Sequence, residues 1–328
     1  MDEVSGLSEG GYEVTITDGS STNVYRCWAF VPEITGSPTI EVESHTCSLI
    51  DLECSGVSTK ALSCVNPQNG VVVPISYGLE FQWFADGTQT GTSGTAQQEL
   101  DAPYSDTDYS VSVTSRFSFL DKLTSSVNVV AKAVNAAFEY KIIKNEVDNE
   151  YNTESEGSAP LRVEFYGEPD GTDNRSKGHI TAYTWAFGDT GKDFIPNPSF
   201  VFLTAGTYAV TLTVENQASG CTSTSEAESF EIIDLFLDVP NFFTPTGDGI
   251  HDEFRVAYSS VKEFKMVIVN RWGRVVYEST NPDKGWDGNV NGKHAAPGVY
   301  FYDVVAKGYN KGEQKHMKGF LHLLRREK

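Results

Sequence analysis

Apolar side chains recur at every second position along most of this chain. Tyr12, Val14 and Ile16 alternate with Glu13, Thr15 and Thr17, Tyr109, Val111 and Val113 with Ser110, Ser112 and Thr114, and Tyr208, Val210 and Leu212 with Ala209, Thr211 and Thr213. A period of two puts the apolar set on one face of an extended chain, which is the pattern of a half-buried strand. Helical spacing is nearly absent. Short runs rich in Val, Thr, Tyr and Phe are punctuated by Gly, Asn-Gly and Asp-Gly, so the chain reads as all-β from end to end.

The alternating runs are also repeats of one another. Gly10-Gly11-Tyr12, Asp108-Tyr109, Gly206-Thr207-Tyr208 and Gly298-Val299-Tyr300 each open a strand. Successive tyrosines recur at intervals of roughly 100 residues, the length of one immunoglobulin-like sandwich. A tyrosine that opens a strand just after a glycine fits the tyrosine corner, in which the ring is buried and the hydroxyl bonds to nearby backbone. Two tryptophans, Trp83 and Trp185, stand at nearly equal distances ahead of Tyr109 and Tyr208. They fit the core tryptophan of strand C ahead of the strand F tyrosine. Before Tyr12 there is no room for one.

Four segments follow: 1–36 as a partial immunoglobulin-like hairpin, either the end of a truncated domain or extra strands on the next; 37–135 as an immunoglobulin-like sandwich; 136–234 as a second sandwich; and 235–328 as a third. The expected fold class is all-β, tandem immunoglobulin-like and PKD-like β-sandwiches arranged as beads on a string. Linkers are expected near residues 32–38, 131–137 and 234–240.

Residues 137–233 resemble the polycystic-kidney-disease (PKD) repeat, through Ala159-Pro160-Leu161-Arg162-Val163-Glu164-Phe165, Tyr183-Thr184-Trp185-Ala186-Phe187-Gly188-Asp189 and Ala205-Gly206-Thr207-Tyr208. The resemblance implies a spacer or binding module without catalysis of its own. Here Thr190 delays the next glycine to 191.

The last ninety residues carry Phe243-Thr244-Pro245-Thr246-Gly247-Asp248-Gly249-Ile250-His251-Asp252, Asn270-Arg271-Trp272-Gly273, Trp286-Asp287-Gly288, Pro297-Gly298-Val299-Tyr300 and Lys318-Gly319-Phe320-Leu321. In that order these blocks resemble the gliding-motility-associated C-terminal domain, the type B sorting domain of type IX secretion on surface proteins of Bacteroidota. The resemblance implies export across the outer membrane to the cell surface, with secretion and anchoring machinery as partner. Two asparagines usual in the family's first block stand here as Thr246 and His251.

Charge sharpens the division. The formal net charge is −20, yet residues 235–328 hold 14 Lys and Arg against 11 Asp and Glu, leaving 11 against 34 for the rest. An acidic body excludes the basic footprint that nucleic acid requires. The basic excess gathers at Lys307, Lys311, Lys315, Lys318, Arg325, Arg326 and Lys328. It reads as lysines guarding a solvated edge strand, with contact to an acidic partner as the alternative. The acidic run Glu146, Asp148, Glu150, Glu154 and Glu156 reads as a solvated linker.

No stretch of eighteen apolar residues is present, and the first residues have neither the basic nor the apolar region of a leader. An exported parent needs a leader, so the chain is expected to be the C-terminal part of a larger protein, and a monomer. Five cysteines cannot all pair within the chain, and one bridge is expected among Cys27, Cys47, Cys54 and Cys64. Their spacings do not suit zinc.

Candidate sites are few. Asp248 and Asp252 in a glycine-rich turn could hold a hard cation such as Ca²⁺; the plainer reading is an Asx-type turn bonded to its own backbone. Asn270, Arg271, Trp272, Gly273, Lys318, Arg325 and Arg326 are the residues expected to face sorting machinery or another partner. Within the turn, Trp272 is expected to fold onto the sheet. No nucleophile elbow, zinc-protease helix, phosphate loop or dinucleotide fingerprint occurs, so no enzyme is expected. The function expected is a stalk plus surface-sorting signal; the alternatives are an adhesin-type module for a glycan or host protein, and the accessory tail of a secreted hydrolase.

Overall fold

In the computed structural model the described residues are 5–66, 69–116, 122–143, 156–169 and 175–325. The acidic run from Glu146 to Glu154 and the terminal Arg326 and Lys328 lie outside them, as does the side chain of Glu156. No α-helix occurs among the described residues. The all-β expectation holds, and no helix is long and apolar enough to cross a membrane.

The chain divides into two compact units, one of residues 1–134 with 216–222, the other of 135–215 with 223–328. In the first unit, Gly10–Asp18 and Ser21–Ala29 form a hairpin that is a sheet by itself. The strands Ile34–His45, Leu49–Thr59 and Gln97–Asp101 form one sheet, and Leu123–Val129, Thr107–Ser115, Leu79–Ala85 and Thr88–Thr90 form another. Their inward positions are those of the alternating pattern: Ile50, Leu52, Phe81, Trp83, Tyr109, Val111 and Val113 are buried in one cluster. Trp83 satisfies its indole N–H on the Thr95 carbonyl at 3.0 Å, as a buried indole must.

Strand Ile34–His45 runs through the segment expected to be a linker. Pro38 is accommodated because the ladder shifts register between Gly36 and Thr39, and a bulge is where a strand tolerates a residue without an N–H. Glycine is required here: Gly36 lies at φ 95°, and a Cβ on it would come within 2.1 Å of the Gly56 carbonyl oxygen.

The first unit also holds the disulfide, Cys47–Cys221. The expected bridge among the first four cysteines is therefore wrong: Cys27, Cys54 and Cys64 are free. Closeness in sequence misled, because Cys54 points into the apolar core and burial pushes its thiol pKa up. Cys221 follows the turn after strand Gly206–Asn216, and that turn packs with the first unit: Ser219 Oγ donates to the Lys132 carbonyl at 3.0 Å.

The second unit contains two apolar cores. One lies between the sheet Glu139–Ile143, Leu161–Tyr166, Ser199–Phe202 and the sheet built on Ala182–Phe187, Gly206–Asn216 and Glu228–Ile233. It is densely aromatic, with the Phe165, Trp185, Phe187 and Phe230 side chains almost wholly inaccessible. The Trp185 indole donates to the Ile195 carbonyl at 3.0 Å, so Trp83 and Trp185 play matching parts.

The other core is built only from residues 235–323, with Phe243, Phe254, Met266, Ile268, Trp286, Val304 and Leu321 at its centre. Its main sheet runs Phe242–Phe243, Gln314–Leu323, Gly298–Lys307, Glu263–Val269, Val275–Ser279. The lysine-rich strand Gln314–Leu323 pairs along its length with Gly298–Lys307. On its other flank it pairs only at His322 and Leu323, so Lys315 and Lys318 line an edge among the described residues.

A candidate partner-facing site at one end of the C-terminal sandwich

The tyrosine of this sandwich sets up the site. Gly298 adopts φ 144°, a conformation a side chain resists, and two residues later Tyr300 turns inward and donates its hydroxyl to the Ala296 carbonyl at 2.8 Å. Burial pushes its phenol pKa up, while the nearby Arg325 and Arg271 guanidiniums work the other way. The segment from Ala296 to Gly298 is thereby fixed as a ridge at the end of the sheet. Grooves lie on both sides, one shared with Asn270, Arg271 and Trp272, the other with Thr246, Asp248 and Arg325.

The loop from Thr244 to Asp252 is self-contained. One Asp252 carboxylate oxygen accepts from the Thr246 and Gly247 amides at 2.8 and 2.7 Å, and the other accepts from Gly249 at 2.7 Å. The Gly247 amide, with those of Gly249 and Thr246, holds the Asp252 carboxyl below the usual range. The Asp248 carboxylate accepts from the Ile250 amide at 2.9 Å. Gly247, Gly249 and His251 all take positive φ. Histidine is among the side chains that visit that region, as asparagine does, which is how His251 replaces the usual residue without undoing the turn. Among the described residues no group of three or more His, Cys, Asp or Glu could hold a metal ion.

The turn 270–273 is equally rigid. The Asn270 side-chain oxygen accepts from the Trp272 and Arg274 amides at 3.1 and 3.0 Å, and Gly273 takes φ 78°. Trp272 does not fold onto the sheet. Its side chain is 74% exposed, with the Arg271 guanidinium 4.1 Å from the ring centroid. The sequence placed the tryptophan at a turn but left open which way the ring leaves it.

Of the other expected residues, Arg325 closes the second groove. Its two terminal nitrogens donate to the Ala295 and Gly288 carbonyls at 3.3 and 3.2 Å. Lys318 is not with them: it stands on the outer sheet face, 2.9 Å from Asp303. Lys318 first, then His316, depress the Asp303 carboxyl pKa. The fold thus gathers Asp248, Asn270, Arg271, Trp272 and Arg325 around one ridge and leaves Lys318 apart.

Sequence reasoning missed the apolar part of that outer face. Val275, Val269, Phe301 and Phe320 lie side by side across four strands, with Phe301 and Phe320 about half exposed. The signal was present in the outward positions of the two pairing strands, Phe301 and Phe320, which the alternation assigns to solvent.

The fold is that of a protein of several β-sandwiches, and comparison with known families adds its destination. Residues 237–323 match the type IX secretion signal domain (CHU_C), and residues 163–230 match the PKD domain. The chain therefore carries at its C-terminal end the signal read by type IX secretion machinery, preceded by a PKD domain, and its destination is the cell surface by way of the outer membrane. No curated protein matches it. Similar solved structures include three N-terminal domains of the bacteriophage RB49 outer capsid protein Hoc (12% identity, 89% of this chain and 99% of that one, TM-score 0.25). Immunoglobulin domains 1–5 of Sidekick-1 match at 13% identity, 97% and 67% coverage and TM-score 0.32. The FN1–FN3 domains of chicken CNTN1 match at 11%, 87% and 99%, TM-score 0.30.

Proposed function

We propose that this chain is a non-catalytic stalk and address: its sandwiches hold a functional region away from the membrane, and its last sandwich routes and anchors the protein. The observation that supports the addressing half is the ridge 296–298 with its two flanking turns. Both turns are locked by Asn270 and Asp252 onto backbone amides, a pre-formed surface that loses little entropy when a partner binds. The turn 270–273 and Arg325 are the residues we assign to that partner. In this reading Asp252 serves the turn rather than calcium, since backbone amides bond to both of its oxygens.

The test is deletion of residues 235–328 from the full-length protein in its native host. The truncated protein should accumulate in the periplasm and vanish from the surface; normal surface display overturns the reading. A second role, gripping a glycan or host protein, draws support from the exposed Trp272 ring, and a glycan array probed with the intact chain separates it from a plain spacer.

A further inference from the structure

The hairpin 10–29 has two different faces. Gly11 lies opposite Trp28, Glu13 opposite Arg26 and Thr15 opposite Val24, and directly opposed residues of an antiparallel pair share a face. The alternate positions put Tyr12, Val14, Ile16, Tyr25 and Cys27 on the reverse, where Val14 and Ile16 are about half exposed. Gly11 leaves room for the indole across from it. A Cβ there would meet three adjacent ring carbons of Trp28 at 2.7, 2.9 and 2.9 Å, near-equal distances that a ring gives only when it lies face-down. One face of the indole therefore rests on the Gly11 backbone, and the other is turned away from the sheet. The Phe30 ring runs nearly parallel, 16° from the plane of Trp28, but with centroids 6.4 Å apart it is too distant to cap the open face.

Beside this ring stands a charged pair. The Arg26 Nε donates to one Glu13 carboxylate oxygen at 3.0 Å, with both side chains about half exposed. The bond engages one oxygen and one nitrogen, so the second carboxylate oxygen and both terminal guanidinium nitrogens are without partners among the described residues. Val65, at the end of strand Leu62–Val65, closes the other side of an open cavity of about 250 Å³ that Gly11, Glu13, Arg26 and Trp28 also line. The hairpin is tied down at its open end. There the Glu9 carboxylate accepts from the Val31 amide and the Lys60 ammonium, both at 3.0 Å.

We infer that this recess is a binding site for a single neutral pyranose, one sugar unit of a glycan. The open indole face is negative at its centre and takes the C–H face of a sugar ring, while hydroxyls, which both donate and accept, meet the two members of the ion pair. Other ligands fit one half only. A cation is drawn to the ring but faces the Arg26 guanidinium, and a phosphate or carboxylate faces Glu13. A wholly apolar molecule strips water from the charged pair without replacing its hydrogen bonds, which is the costly case. Size agrees, since the cavity falls below the roughly 300–1,000 Å³ of pockets that enclose drug-sized ligands and suits one ring. The site is separate from the Trp272 ring considered above, which belongs to the other unit. Either can hold a sugar without the other, and the addressing role depends on neither.

The experiment titrates the isotope-labelled intact chain with the methyl glycosides of glucose, galactose, mannose and N-acetylglucosamine. It reads the indole N–H resonance of each tryptophan and the backbone amides of Glu13 and Arg26. At least one glycoside should shift the Trp28, Glu13 and Arg26 signals together, with a Kd on the order of 1 mM, as expected of one small ring in an open recess. Trp28→Ala and Glu13→Gln should each weaken that binding about 10-fold or more, whereas Trp28→Tyr, which keeps a ring over Gly11, should hold it within about 3-fold. Should Trp28→Ala unfold the hairpin, Glu13→Gln decides, because an exposed ion pair contributes little to stability. No shift from any glycoside at concentrations about 100-fold higher, or binding that Glu13→Gln leaves unchanged, overturns the inference. A shift produced by tetramethylammonium or inorganic phosphate and by none of the glycosides overturns it in favour of an ion. Movement of the Trp272 resonance with Trp28 still supports the glycan role proposed above and overturns this one.

Discussion

Asp252 shows how much a single carboxylate settles locally. Three backbone amides converge on its two oxygens, and charge-assisted bonds of this kind favour the ionised form. Its folded pKa is depressed below the ordinary aspartate value of 3.8, so the stability it contributes is complete above that value and is lost as pH falls through the lower folded one. An NMR titration should place the Asp252 midpoint below 3.8, with the protection of the Gly247 and Gly249 amides falling away as the carboxylate protonates. A midpoint at or above the ordinary value contradicts the geometry. Asp252→Ala should abolish that protection at neutral pH. The Asp-Gly spacing made a turn legible in the sequence; that amides would bond to both oxygens was not, because it depends on the positive φ of Gly247, Gly249 and His251 together.

At the scale of elements, the turn between strands Gly206–Asn216 and Cys221–Thr224 is the place where local reading fell furthest short. Each strand is plain from its alternation, yet the turn joins a compact unit made chiefly of residues 1–134, and its cysteine pairs across 174 residues of sequence. Cross-linking so distant a pair removes much conformational freedom from the unfolded chain. Replacing both cysteines by serine should lower the stability of the first unit by about 2–4 kcal/mol, read as a shift in the urea midpoint followed through Trp83. An unchanged midpoint would show that Lys132 and Ser219, which touch at the same turn, suffice without it. Nothing in the close spacing of Cys47, Cys54 and Cys64 hinted at this partner.

The whole molecule divides by core and by charge. Every residue of the last core comes from 235–323, and residues 235–328 carry a balance of +3 against −23 for the remainder. A core of that size, drawn from one continuous segment, can fold by itself. The isolated segment 235–328 should therefore unfold in one cooperative transition by far-UV circular dichroism and by Trp286 fluorescence alike; a fragment without a transition would mean that its stability is borrowed from the rest of the chain.

Sequence alone determined the all-β class, the repeating sandwich, the core tryptophans and the sorting signal, because strand alternation, turn glycines and the tyrosine corner are short-range patterns written within a few residues. Tertiary structure alone decided which cysteine bridges to Cys47, that Trp272 points to solvent, that Arg325 joins the ridge at Pro297 while Lys318 does not, and that the face of Tyr12, Val14 and Ile16 lies open. Each of these depends on which distant segment occupies the adjoining space, and close packing admits only one occupant.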